Sequence, residues 1–161
     1  MKKQPTPEQA EEFIDAATNG ETAVVQQYIA DGYDLNVRDK YGSTALMHAA
    51  EFSNDTSSLE TVQLLIDAGA DVNVRDEDGS TALMFAAKFS NGSSSLETVQ
   101  LLIDAGADLN VQDDNERTAL IIAAEYSNGS SSLETVQLLI DAGADVNVRD
   151  EDGSTALMFA A

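Results

Sequence analysis

The stretch from Ser57 to Ala87 recurs without a change as Ser131 to Ala161, 74 residues further along the chain. A close relative, Ser94 to Ala124, lies midway, so the period is 37 residues. Gly42, Gly79 and Gly153 fall on this lattice, and Glu116 stands where a further glycine would be. Repetition at this spacing restricts the fold severely. Each unit is one supersecondary element, too small to bury its own apolar face, and it becomes stable by stacking on its neighbours.

Within one period, Leu96, Val99, Leu102 and Ile103 share a helical face. Ser94, three positions before Glu97, has capping-box spacing, and Gly106 follows Ala105 where a left-handed residue closes a helix. The same arrangement recurs from Leu59 to Gly69 and from Leu133 to Gly143. A shorter helix is expected over 81–87, with Thr81 as its N-cap. Ahead of it, Asp76-Glu77-Asp78-Gly79 reads as a turn, and Ser90-Asn91-Gly92-Ser93-Ser94 as the loop between the helices. The unit is turn, short helix, loop, longer helix. At the chain start, Thr6 and Gln9 have capping-box spacing, predicting a helix from Pro7 to Thr18 that ends at Asn19-Gly20. A second helix is expected from Thr22 to Ala30, before Gly32.

This pattern resembles the ankyrin repeat, whose period is about 33 residues. The matching motifs are Asp76-x-x-Gly79-x-Thr81-x-Leu83, Ala86-Ala87, Leu96-Glu97-x-Val99 and Gly106-Ala107-Asp108-Leu109-Asn110, with copies at Gly69 to Asn73 and Gly143 to Asn147. The resemblance runs from about Pro7 onward. It implies an all-α solenoid of stacked helix–loop–helix units joined by β-turn or hairpin loops. One domain would span 1–161: a capping repeat over 1–38, full repeats over 39–75, 76–112 and 113–149, and a truncated repeat over 150–161.

Two departures stand out. The family's Thr-Pro-Leu-His signature is Thr-Ala-Leu-Met at Thr44, Thr81 and Thr155, and Thr-Ala-Leu-Ile at Thr118. The roughly four extra residues per period fall between the two helices, where they either lengthen the helices or build a protruding loop. Asp15 aligns with His48, Phe85, Ile122 and Phe159, and a polar residue there suits an end repeat whose outer face meets water. At the other end, Leu157, Met158 and Phe159 have no following unit to cover them. The expectation is a piece of a longer array, or self-association through this uncapped end.

Eight basic residues against 29 acidic ones give a net charge of −21. Such a surface repels nucleic-acid phosphates and anionic membranes, serves mainly as a solvated coat, and favours a basic protein partner. Cysteine is absent, excluding disulfides and thiolate metal sites. After Met1-Lys2-Lys3-Gln4-Pro5 come Glu8, Glu11 and Glu12 instead of the apolar stretch of an export signal. Apolar runs such as Ala119 to Ala124 are too short to span a bilayer. A soluble, cytoplasmic protein is expected.

Nothing in the residue inventory points to catalysis. His48 is the sole histidine, so histidine-based triads and multi-histidine metal sites lack members. Its place is apolar in other repeats, which suggests packing between repeats. The carboxylates recur in every period, whereas a catalytic pair needs one enclosed environment. The Asp76 to Gly79 turn lacks calcium-loop ligands, since Val74 and Phe85 occupy the positions that would need them. No enzyme activity, cofactor or metal is expected.

What remains is a surface. The resemblance implies a non-catalytic protein–protein interaction module whose partner meets the turn tips and the short-helix concave face. Carried over by motif position, that surface takes in Lys40, Tyr41, Ser43, Asp78, Ser80, Asn115 and Arg117, with Phe52, Lys88, Phe89 and Tyr126 at the helix ends. Phe52, Phe89 and Tyr126 either form an exposed aromatic ladder or lie beneath the inserted loop. A designed or recently duplicated scaffold with no natural ligand is the alternative, and identity over 31 residues fits both origins.

Overall fold

The computed structural model describes residues 2–160. Among them, nine helices follow one another: α1 (Pro7–Thr18), α2 (Thr22–Ala30), α3 (Ala45–Glu51), α4 (Leu59–Asp67), α5 (Ala82–Phe89), α6 (Leu96–Asp104), α7 (Ala119–Glu125), α8 (Leu133–Asp141) and α9 (Ala156–Phe159). The described residues form no strand, and Arg38 and Thr44 make only an isolated bridge across their turn. The fold is an all-α solenoid. Met1 and Ala161, the outermost residues of the expected domain, lie outside the described residues.

Two layers result. The odd-numbered helices α1, α3, α5, α7 and α9 pack in sequence, and α2, α4, α6 and α8 form a second row behind them. Small residues set the spacing of the first row. Ala16-Ala17, Ala49-Ala50, Ala86-Ala87 and Ala123-Ala124 are all buried, and side chains this small let helix axes approach closely. Larger groups fill the space between the layers, among them Leu46, Leu83, Leu102, Leu120 and Leu139. On α6, Val99 and Leu102 are fully buried while Leu96 and Ile103 are half-buried, so the expected face is the buried one.

Helix starts follow local chemistry. Thr6 and Gln9 exchange the two bonds of a capping box, the Gln9 amide donating to Thr6 Oγ1 at 3.3 Å and the Thr6 amide to Gln9 Oε1 at 3.0 Å. The α6 cap differs from the expectation by one residue. Ser95, not Ser94, is the N-cap, and its Oγ accepts from the Thr98 amide at 3.2 Å. Ser94 is instead buried, with its hydroxyl 3.3 Å from that of Ser53 in the preceding repeat. At the other end Gly106 has φ +87°, the left-handed conformation expected there.

The inserted residues build loops, and the loops pair with one another. The Asn54 amide donates to the Ser93 carbonyl at 2.8 Å and the Asn91 amide to that of Ser130 at 2.9 Å. Their side-chain amides donate in parallel to Gly92 and Gly129. Beneath them, Ser53 Oγ lies 2.6 Å from Thr98 Oγ1, and Thr135 Oγ1 donates to Ser90 Oγ at 2.6 Å. Each repeat is thereby fixed in register on the next by hydroxyls and amides as well as by apolar area.

Candidate functional site

The face opposite the long helices carries the turn tips and the exposed side of the short helices. Each tip is held by one aspartate. Asp39 Oδ1 accepts from the amides of Tyr41 and Ser43, and Asp76, Asp113 and Asp150 repeat this with the residues two and four positions on. Adjacent tips are joined by backbone bonds, Glu77 donating to the Tyr41 carbonyl and Asp114 to that of Asp78. Arg38 and Arg75 each reach one repeat onward to a carbonyl, of Arg75 and Gln112 respectively, both at 2.8 Å. The tips are therefore a registered edge that sets its side chains at regular intervals.

Against this frame the expected residues sort themselves. Lys40, Tyr41, Asp78 and Asn115 are exposed, with Tyr41 at 61%. Ser80, Lys88, Phe89, Arg117, Phe52 and Tyr126 are half-buried. Ser43 departs from the expectation. It is only 7% exposed, its amide donating to Asp39 and its carbonyl accepting from the Asp39 amide, so it closes the turn and offers no contact.

The three helix-end rings do not stack on each other. Lys88 links two of them instead, its Nζ 5.1 Å from the Phe89 ring centre and 5.0 Å from that of Tyr126. A cation placed over two ring faces is held by their quadrupoles. The inserted loops, paired with each other, leave all three rings partly open. Glu51 occupies the same register as Lys88 and Glu125. Burial pushes the Glu51 carboxyl up, against the pull of His48 and Lys88. Arg117 donates to Asp113 at 2.8 Å and to Glu125 at 3.2 Å, and these carboxylates hold its charge against the cost of partial burial.

His48 departs from the expectation in part. Its side chain is 25% exposed, and Nε2 lies 2.9 Å from Asp39 Oδ2. It lines a groove between the first turn tip and α1 of the preceding repeat, so it does lie between repeats, but half-buried and not closed in an apolar interface. The polar ring has a carboxylate to meet there, which the buried interface would not supply. The effect on Asp39 is visible by comparison with Asp76. Burial pushes both carboxyls up and turn amides pull both down; at Asp39 the bond from His48 tips the balance below the usual range. Asp76 has no such partner and stays above it, with Asp78 and Asp114 adding repulsion. The pattern at position 48 could have suggested this, since an aspartate nine residues upstream recurs in every tip while the histidine does not.

Among the described residues no group of three or more histidine, aspartate or glutamate side chains is arranged to hold a metal ion, and no helix is long and apolar enough to cross a membrane. The arrangement offers a spaced row of rings and charges on a backbone frame already satisfied internally. A family model described as ankyrin repeats (3 copies) matches residues 13–113 and 89–161. No curated protein matches the chain.

Proposed function

The chain belongs to the ankyrin-repeat family, whose repeats are generally protein–protein interaction modules, and from that premise we propose that it is a non-catalytic module binding a protein on its turn tips and short-helix concave face. The contact residues are Lys40, Tyr41, Phe52, Asp78, Ser80, Lys88, Phe89, Asn115, Arg117 and Tyr126. The observation that carries this reading is the Lys88 ammonium set over the rings of Phe89 and Tyr126 on a partly open face. Aromatic and cationic groups held in place lose little freedom on binding and are frequent hot spots. With a net charge of −21 the partner is basic on its contacting side, and its association slows with added salt.

Photo-crosslinking tests the assignment of faces. A benzophenone side chain at Tyr126 should capture a discrete partner in source cells, and one at Gln137, exposed on α8, should not. Capture from Gln137 alone would place the interface on the long helices. Capture from neither would favour a duplicated scaffold without a ligand.

A further inference from the structure

The groove between α1 and the first turn tip has a volume of about 660 Å³ and combines apolar walls with charge. Ile14, Pro7 and Phe52 supply the apolar part. Its two basic lining residues keep their charge, Arg38 donating to the Arg75 carbonyl at 2.8 Å and Lys40 Nζ sitting 4.9 Å from the Tyr41 ring centre, and they are outnumbered by Glu11, Asp15 and Asp39. Asp39 is occupied by its turn amides and His48. Glu11 and Asp15 take part in none of the three ion pairs formed among the described residues. They stand four apart on α1, so their side chains are neighbours on one helical face.

From this combination we infer that the groove is a subsite for an arginine side chain of the partner protein, with Glu11 and Asp15 taking the guanidinium and Phe52 covering its plane. This deepens the reading above and rests on it. An anionic occupant is repelled by the free carboxylates and by the whole acidic chain. A purely apolar one strips water from Glu11 and Asp15 and returns no bond. Lysine carries a compact ammonium, strongly hydrated, whereas guanidinium presents a forked edge to carboxylates and a flat face to a ring. The methylene stem of arginine lies against Ile14 and Pro7 while its head stays polar. Asp15 takes the place that His48 has in the next repeat, so the end repeat contributes an acid where the others set a ring or an aliphatic group.

The test uses small probes on the full chain. N-acetyl-arginine amide is titrated while backbone amide shifts are followed by NMR, beside the lysine analogue and the neutral citrulline isostere. Arginine should shift amides around residues 11–18 and 48–52 in a saturable way, with citrulline giving no saturable shift and lysine binding more weakly. The double variant Glu11→Gln, Asp15→Asn should weaken arginine binding by about tenfold or more with an unchanged folded spectrum. Phe52→Leu should narrow the preference for arginine over lysine. Equal binding of citrulline or lysine, or arginine shifts spread over α4, α6 and α8, would overturn the inference. The Tyr126 crosslink separates the two readings: a crosslink kept while arginine fails removes the subsite alone, and arginine shifts with no crosslink remove the wider interface.

Discussion

Gln112 donates from Nε2 to the carbonyl of Glu116 at 2.6 Å, where Arg75 and Arg149 donate to Gly79 and Gly153. The turn has thus kept its geometry through a change of both partners. Glu116 retains the left-handed backbone of the glycines, at φ 59°. A side chain in that region costs about 1 kcal/mol.

Glu116→Gly should therefore stabilise the chain by about 1 kcal/mol, raising Tm by roughly 2–4 °C for a protein of this size. Gly42→Ala should do the reverse and by more, because its Cβ would also lie 2.9 Å from the Glu77 backbone nitrogen. Thermal melts of both variants check this. A Glu116→Gly protein that melts at or below the parent temperature contradicts it.

Ser53 and Thr98 come from successive repeats, yet their hydroxyls share a bond inside the stack. Ser53→Ala and Thr98→Val should each cost about 1 kcal/mol. The double variant should lose at least about 0.5 kcal/mol less than the two together, because one shared bond cannot be removed twice. Urea denaturation of the four proteins gives the coupling. Strict additivity would mean that this bond between repeats is not made in solution.

His48 holds the Asp39 carboxyl low, with a consequence for acid stability. A carboxyl depressed in the folded state contributes stability above its unfolded pKa, and that contribution is lost as pH falls through the folded pKa. In His48→Phe, which copies position 85, the Asp39 carboxyl should titrate higher, as Asp76 does, and acid unfolding should begin at a higher pH. Carbon-detected NMR of Asp39 and an acid melt measure both. An unmoved Asp39 titration would show that the turn amides alone set it.

Much of this architecture is legible in the residues. The bounds of α1 and α2 follow from Thr6, Pro7, Gly20 and Gly32, because caps and terminators act locally. The Ser94 cap misleads for a related reason: two adjacent serines offer the same hydroxyl, and the neighbouring repeat decides which one turns inward. Periodicity reveals that loops recur but not that Asn54 and Asn91 pair them, since that bond depends on the rotation between units. At His48 the lattice gives the place between repeats, but its apolar equivalents do not foresee the bond to Asp39, which only geometry brings to it. At the surface, positional analogy places Phe52, Lys88, Phe89 and Tyr126 at the helix ends, where all four are half-buried. It does not foresee a lysine between two rings.

The whole surface depends on repeats stacked in fixed register, and a disulfide reads that register directly. The chain has no cysteine of its own, so Ser90→Cys with Ser131→Cys introduces a single pair at positions whose hydroxyls lie 3.3 Å apart in successive loops. Mild oxidation should close it completely within one chain and raise Tm, while Ser53→Cys with Ser131→Cys, two loops apart, should stay reduced. A Ser90/Ser131 pair that stays reduced, or joins only between molecules, would contradict the stack and the surface built upon it.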